Sequence, residues 1–420
     1  MLVTALPSQT RQAIISSLLC NIFVWYDYAL FGTLSTVLID LFFPQSSSEY
    51  VRTLSYMMAF AVGFVARPMG SLFFGYIGDK YNRRIALILS IILMLCPSFL
   101  LAILPTYSAF GMFATLLLFC ARFTQGFALG GEAGNAVFLI ESSPKSMRAL
   151  VGSLEVLSAL IGPIICISTI YVIKKYLSDM QFVTWGWRLA FIVGVLFGIL
   201  GILSRLYIQE NNNHENTHNT EQVDQMHPIY SLFSYFKMNL LIAICIDAIE
   251  EVTLYTFLVF FAVKLNTQGE FLYQQSWLLV LLVVATIFFA KITDLTSSYL
   301  MLMISALSLL LCALPIFFMI YFGNKFEYMI ALIVFILIIA TSLAPVSLAT
   351  ALIFPREVRY TGFAFARNIS STIFGGFAPV VLTILEKYTD NPVSPAFFLI
   401  FCAIIAIFYL GRYKKVKPYL

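Results

Sequence analysis

The sequence predicts an all-α polytopic membrane protein, with about twelve spanning helices in two pseudo-symmetric six-helix bundles. Of its 420 residues, 60% are hydrophobic and 11% are charged, and the mean hydropathy is +0.91. Soluble domains are far more polar. A spanning helix needs about 20 mainly apolar residues, and such runs are centred near residues 30, 65, 95, 120, 160, 197, 250, 282, 308, 340, 372 and 403. The runs lack the alternation of barrel strands, so we expect helices.

A polar stretch halfway along the chain divides the runs into two sets of six. Residues 209–227 are rich in Asn, Glu, Gln and His and have almost no apolar side chains. Such a composition cannot bury a core and predicts a flexible connector. We therefore expect one bundle over residues 1–208, a cytoplasmic linker over 209–228 and a second bundle over 229–420. The three histidines lie here, where solvated side chains are expected rather than a metal site.

The distribution of Lys and Arg predicts that both chain termini are cytoplasmic. Cytoplasmic loops carry an excess of these residues, and this orientation leaves only seven of them in the opposite loops. The net charge of +4 is explained by this anchoring in the lipid bilayer, so no nucleic-acid partner is expected. The cytoplasmic set would be Arg11, Lys80, Arg83, Arg84, Lys145, Lys237, Arg356, Arg359, Arg412, Lys414, Lys415 and Lys417.

No pattern in the chain indicates an enzyme, a cofactor or a metal site. All seven cysteines lie inside apolar runs without C-x-x-C spacing, and buried cysteine behaves as a small hydrophobe. The sequence also lacks a recognisable nucleophile–base constellation and a glycine-rich phosphate loop. The oligomeric state is left open.

A short basic turn joins the second and third apolar runs. Helices joined so tightly must be antiparallel neighbours, with the turn at one water interface. Asp79 is placed to cap a neighbouring helix N-terminus, where the helix dipole favours negative charge, and glycines allow close packing in lipid. The alternative is a turn that only anchors the topology. The segment includes Arg67, Gly75, Gly78, Asp79, Lys80, Arg83 and Arg84.

Ionisable residues within the apolar runs are the candidates for a transport pathway, because such residues are costly in a membrane and usually functional. In the first run, Trp25, Tyr26 and Asp27 suggest an aromatic-lined cavity for a quaternary ammonium; an interfacial aromatic belt is the alternative. In the fourth run, Arg122 and Glu132 fall near one helical face with Gln125. Arg67 and Arg122 would bind an anionic substrate, because guanidinium binds carboxylate in a bidentate manner; the alternative is that Glu132 neutralises Arg122 and both are structural.

A cluster of acids in the seventh run is the least expected feature. Asp247, Glu250 and Glu251 lie within about one helical turn. Carboxylates that lie together in a low dielectric resist being charged at the same time, so we expect one of them to carry a proton. Arg367, next to Asn368 in the eleventh run, is the predicted partner. The alternative is a purely structural ion pair.

These motifs resemble those of a known carrier family. The pattern G-x-x-G-D-K-x-x-R-R ending at Arg84 resembles the signature loop of the major facilitator superfamily. The pattern R-x-x-Q-G-x-x-x-G-G-E from Arg122 to Glu132 resembles the metabolite–proton symporter branch, which includes proline/betaine carriers. So do the first-run aromatics, the segment Trp185–Arg188 and the link Phe354–Gly362.

The resemblance implies a major facilitator fold and a secondary active transporter in a bacterial cytoplasmic membrane. We expect proton-coupled symport of a small polar metabolite, a proline- or betaine-like zwitterion, by alternating access. A carboxylate or dicarboxylate carrier is the alternative, and a non-transporting sensor is a second one. The basic turn would latch one conformational state, with Arg67, Gly75, Gly78, Asp79, Lys80, Arg83 and Arg84 as its residues.

Three departures from the branch pattern stand out. Val24 occupies the place of a first-helix glutamate, and Asn82 occupies the place of a glycine in the turn. In the second half, the equivalent turn keeps only the acid, Asp294. We therefore expect any latch to lie mainly in the first half.

Overall fold

Twelve long helices follow one another along the computed structural model, which describes residues 8–44, 49–206, 227–265 and 270–414. Within those ranges the chain forms helices and short connections, with no strand. The long helices are α1 (Ser8–Thr33), α2 (Glu49–Lys80), α3 (Arg83–Ile103), α4 (Met112–Glu132), α5 (Arg148–Tyr176), α6 (Trp187–Leu206), α7 (Lys237–Tyr255), α8 (Glu270–Leu295), α9 (Ser298–Phe322), α10 (Lys325–Leu352), α11 (Arg359–Ser370) and α12 (Pro395–Tyr413).

Shorter helical segments extend or precede several of these helices. Three of them are π-helical, a geometry that is often found at functional sites. The α-helical segments are Ser35–Phe42, Tyr107–Phe110, Gly134–Glu141, Asp179–Gln181, Pro228–Tyr235, Phe261–Leu265 and Ala378–Thr389; the π-helical ones are Phe182–Gly186, Thr256–Phe260 and Ser371–Gly376; the 3₁₀ turns are Lys145–Met147 and Arg356–Val358.

Most of the long helices could cross a membrane. In the described ranges, 10 helices are long and apolar enough to do so, or up to 11 if Pro228–Tyr235 and Lys237–Leu265, bent by 84°, count as one span. The further long helix α2 corresponds to the predicted run near residue 65. The prediction of an all-α polytopic membrane protein is confirmed.

The chain divides into two compact units. The first comprises residues 1–142 and 154–229, and the second comprises residues 143–153 and 230–420. The second unit therefore includes the first turns of α5, a feature the sequence did not predict. The predicted linker, 209–228, lies outside the described residues except for its last two positions.

In the first unit, glycines bring the backbones of α2 and α4 into direct contact. A Cβ atom added to Gly126 would overlap the backbone of Gly63, and one added to Gly70 would overlap the backbone of Phe127. A Cβ at Gly130 would likewise overlap the backbone of α2. Small residues at these positions allow the close packing that holds helices together in lipid.

A helix cap explains the departure at Asn82. Its backbone is extended, with φ −162° and ψ 131°, so this position does not need the conformational freedom of glycine. The Asn82 side chain accepts hydrogen bonds from the N–H groups of Arg84, at 2.7 Å, and Ile85, at 3.4 Å. Asparagine is a favoured N-cap residue because its side-chain oxygen satisfies these otherwise unpaired donors.

Candidate functional site

Asp27 and Arg122 are joined through Gln125 in the interior of the first unit. All three side chains are fully buried. The amide of Gln125 donates through Nε2 to Oδ2 of Asp27 at 2.7 Å and accepts through Oε1 from Nη1 of Arg122 at 2.8 Å. The same Nε2 lies 3.3 Å from Oγ of Ser98. We call Asp27, Gln125 and Arg122 the first-unit relay.

The relay couples the charge of Asp27 to that of Arg122 without direct contact. A glutamine amide can donate to the acid and accept from the guanidinium at the same time, so a change of charge at one end alters the hydrogen bond at the other. The sequence placed Gln125 on the face of Arg122 but did not identify it as the link. Its partners on α1 and α3 lie 98 and 27 residues away in the chain.

Tyr26 lies beside Asp27, whereas Trp25 faces another part of the first unit. The hydroxyl of Tyr26 donates to the carbonyl of Ala190 at 2.8 Å, and its ring meets Phe197 edge-on at 5.9 Å. The indole ring of Trp25 instead lies near the guanidinium of Arg67. Successive helix residues project about 100° apart, so Trp25 points away from Asp27. Tyr26 and Asp27 both face Gly194 on α6, where an added Cβ would lie 3.0 Å from the Tyr26 ring and 3.6 Å from Oδ1 of Asp27. The aromatic cavity around Asp27 stays a prediction.

Arg67 lies inside the first unit rather than at the basic turn. Its guanidinium carbon is 4.1 Å from the ring centre of Phe64, 4.7 Å from that of Tyr28 and 6.0 Å from that of Trp25. We call these three rings the aromatic cage. Arg67 precedes Asp79 on α2 by twelve residues, or about 18 Å of helix, so its assignment to the turn is corrected.

The basic turn is tied to the end of the short helix Gly134–Glu141, which follows α4. Arg83 forms an ion pair with Glu141, and its Nη2 also lies 3.6 Å from Oδ1 of Asp79. Nζ of Lys80 lies 2.6 Å from the hydroxyl oxygen of Tyr76. Gly75 and Gly78 are buried and Arg84 is half-buried at the same end of the helices. The geometry ties the turn together; its role as a latch stays a prediction.

Glu132 is buried, with 6% of its surface exposed, but it does not lie beside Arg122. The two residues are ten positions apart on α4, which corresponds to about 15 Å along the axis. That separation is too long for an ion pair, so the alternative in which Glu132 neutralises Arg122 is corrected.

The predicted ion pair of the second unit is present. Arg367 on α11 binds Glu250 on α7 through both terminal nitrogens, Nη1 to Oε2 at 3.1 Å and Nη2 to Oε1 at 2.9 Å. Nη1 also lies 3.2 Å from Oδ1 of Asp247. The Asp247 and Glu250 side chains are 1% exposed. We call Asp247, Glu250 and Arg367 the second-unit cluster.

The two other predicted residues flank this cluster. Glu251 is buried, and its Oε2 faces Gly375 in the π-helical turn of α11, where an added Cβ would lie 2.8 Å from it. The side-chain amide of Asn368 donates to the carbonyl of Ala364 in its own helix at 2.8 Å. Three carboxylates and one guanidinium thus lie among α7 and α11 in the interior of this unit.

Asp294, at the end of α8, caps the start of α5. Its Oδ1 accepts from the N–H of Ala149 at 2.8 Å, and Oδ2 accepts from that of Leu150 at 3.0 Å. A carboxylate in this place satisfies two unpaired donors and interacts favourably with the helix dipole. The sequence identified the acid but found no partner for it, because the bonded groups are backbone atoms about 145 residues away.

Comparison with known proteins agrees with the fold and the motifs. The family model described as "Sugar (and other) transporter" matches residues 13–213. The chain is 26% identical to the glycine betaine/proline/ectoine/pipecolic acid transporter of Dickeya dadantii over 411 residues, covering 94% of this chain and 82% of that protein. It is also 26% identical to the proline/betaine transporter of Escherichia coli (strain K12) over 412 residues, with the same coverage.

Solved structures of two proton symporters share the fold. The proton:xylose symporter XylE, from the major facilitator superfamily, superposes with a TM-score of 0.75 at 16% identity, covering 98% of this chain and 96% of that one. The fucose:proton symporter FucP of Escherichia coli superposes with a TM-score of 0.62 at 16% identity, covering 95% and 98%. At this identity the likeness concerns the fold alone.

Proposed function

Because the motifs and the fold of this chain resemble those of the major facilitator superfamily, we propose that it is a secondary active transporter that carries a small zwitterion together with a proton. The observation that carries the proposal is the pair of buried charged groups, the first-unit relay and the second-unit cluster. Charged side chains in membrane helices are costly and mark substrate or proton pathways. A protein that needed only a stable bundle would gain nothing from burying five such residues where apolar packing would serve.

The zwitterion is a proline- or betaine-like compound. The relatives named above as proline/betaine transporters cover nearly the whole chain. A carboxylate or dicarboxylate is the second candidate, which the buried arginines Arg67 and Arg122 favour because guanidinium binds carboxylate in a bidentate manner. The names of these relatives favour the zwitterion.

Proton coupling is assigned to the buried acids. In the second-unit cluster, Glu250 and Asp247 share one guanidinium, so protonation of either acid weakens the hold of Arg367 on α7. In the first-unit relay, protonation of Asp27 removes the negative charge that accepts a hydrogen bond from Gln125, and this alters the hydrogen bond between Gln125 and Arg122. Each event changes the packing of helices within its own unit, which is how a bound proton biases one state of a carrier over another. Glu251 and Asn368 flank this pathway.

The topology completes the proposal. The chain is a multi-pass membrane protein, and we place it in a bacterial cytoplasmic membrane with both termini inside, from the distribution of Lys and Arg. The basic turn then lies on the cytoplasmic side. Its residues Gly75, Gly78, Asp79, Lys80, Arg83 and Arg84 act as the conformational latch of alternating access, and the two units act as its halves.

The first test is uptake into proteoliposomes of the purified full-length protein. Radiolabelled proline, glycine betaine and a dicarboxylate are compared with and without an inward proton gradient, with empty liposomes as the control. We expect gradient-driven uptake of one zwitterion that a protonophore abolishes. Uptake that is indifferent to the gradient would contradict proton coupling, and absence of uptake of all three compounds would favour the sensor alternative.

A further inference from the structure

We propose that Arg67, held in its aromatic cage, is the group that binds the carboxylate of the transported substrate. The proposal rests on the function proposed above and names the part of the substrate that this site recognises. It also revises the expectation that Trp25 helps to bind a cationic ligand, because in this structure Trp25 and Tyr28 already lie near a cation of the protein itself, Arg67.

Arg67 differs from two other arginines in the interior of the helices, Arg122 and Arg367. The guanidinium of Arg122 donates to Gln125, and that of Arg367 binds two carboxylates. Arg67 is only 2% exposed, and its Nε and Nη2 atoms have no hydrogen-bond partner among the described residues. Unsatisfied hydrogen-bond donors on a buried charge cost free energy. A ligand that accepts hydrogen bonds from this guanidinium would remove that cost.

The aromatic cage can hold the guanidinium but cannot satisfy its N–H donors. The rings of Phe64 and Tyr28 lie within 5 Å of the guanidinium carbon, where the ring quadrupole attracts a cation. This attraction supplies no hydrogen-bond acceptor, so Nε and Nη2 keep their donors for a ligand. The cage therefore holds the guanidinium in place before any ligand arrives.

A carboxylate is the ligand that best matches this guanidinium. Guanidinium and carboxylate form two parallel hydrogen bonds, and such bonds are shorter and stronger than those between neutral groups. The guanidinium carbon of Arg122 also lies near Tyr28, 4.8 Å from the centre of the Tyr28 ring. Two positive groups thus share one ring, which makes this region of the first unit favourable for an anionic group.

The main experiment measures how the protein discriminates substrates with a carboxylate from matched compounds without one. Glycine betaine is compared with choline, and proline with prolinamide, as competitors of labelled substrate uptake by the full-length protein in proteoliposomes. For the wild type, we expect the compounds without a carboxylate to compete about 10- to 100-fold less well, the value of a charge-assisted hydrogen-bonded pair. Equal competition by both members of each pair would overturn the proposal without any mutation.

The variants separate recognition from stability. Arg67→Gln should abolish most of the discrimination: betaine and proline should compete less well with the labelled substrate, and choline and prolinamide should compete as poorly as they do in the wild type. Arg67→Lys should restore it in part, since it keeps the charge and loses the bidentate geometry. If Arg67 had a structural role alone, the variants would contain less active protein and show less uptake, but they would discriminate between the paired compounds as the wild type does. That result would contradict the proposal.

Arg188 provides the matched control in the same unit. Its guanidinium also lies over an aromatic ring, that of Trp187 at 4.8 Å, but its Nη2 donates to the carbonyl of Leu104 at 2.8 Å. Arg188→Gln should leave the discrimination unchanged. If the wild type carries none of the four compounds, the proposed function fails; if it carries betaine or proline and Arg67→Gln keeps full discrimination, only the role of Arg67 fails.

Discussion

Buried charges in this protein are arranged so that each arginine has a different environment. Arg367 is neutralised by acids, Arg122 is connected to an acid through an amide, and Arg67 is surrounded by aromatic faces. Only the first arrangement removes most of the cost of burying the charge. The chemistry of each guanidinium is therefore set by its neighbours rather than by the residue type.

At the level of the residue, we predict that Arg367→Gln destabilises the protein by about 3–5 kcal/mol, because it leaves Asp247 and Glu250 buried without their counter-charge. The measurement is thermal unfolding of the purified protein in detergent. Arg412→Gln, which removes an exposed guanidinium from α12, serves as the control and should unfold at nearly the wild-type temperature.

A charge swap tests the pairing itself. The double variant Glu250→Arg with Arg367→Glu should recover part of the stability that either single variant loses, because the two groups still face each other. Single variants that are no worse than the control, or a double variant that is as unstable as the sum of the singles, would contradict the pairing.

At the level of the element, the crossing of α2 and α4 depends on glycine. Gly126→Ala should destabilise the protein by about 1–3 kcal/mol or more, because the new methyl group overlaps backbone that cannot move aside. Gly32→Ala is the matched control, since an added Cβ there meets nothing within 4 Å. Thermal unfolding of both variants checks the prediction, and equal stability would show that the helices can separate without cost.

The helix ends follow the same reasoning. Asn82 caps α3 from its own turn, and Asp294 caps α5 from a different helix. The first cap is local and can be read from three consecutive residues of the sequence. The second is not, because an acid in a degenerate turn has no sequence neighbour that would identify its partner.

At the level of the whole molecule, we expect transport not to require an unbroken chain through the polar stretch at residues 209–227. We predict that a protease site inserted between Asn212 and Asn213 can be cut in proteoliposomes with gradient-driven uptake unchanged, because that composition contributes no core. An uncut sample of the same variant is the control. A loss of uptake on cleavage would show that the segment takes part in the transport cycle.

Several features of this protein could be predicted from the sequence because they depend on local composition. The apolar runs indicated the helices, since a membrane-spanning segment must be long and apolar whatever its neighbours are. The ion pair of Arg367 with the acids of α7 was also predicted, because a buried charge is costly unless a charge of opposite sign lies beside it. The helix 2–3 turn and its cations were visible in a single stretch of residues.

Only the tertiary structure decided which side chains meet. Trp25, Tyr26 and Asp27 are consecutive, yet they contact Arg67, Ala190 and Gln125, respectively. The sequence by itself determined that these helices would carry charged and aromatic groups into the membrane. Their partners were decided by helix rotation and crossing, because these contacts join residues 42 to 164 positions apart in the chain.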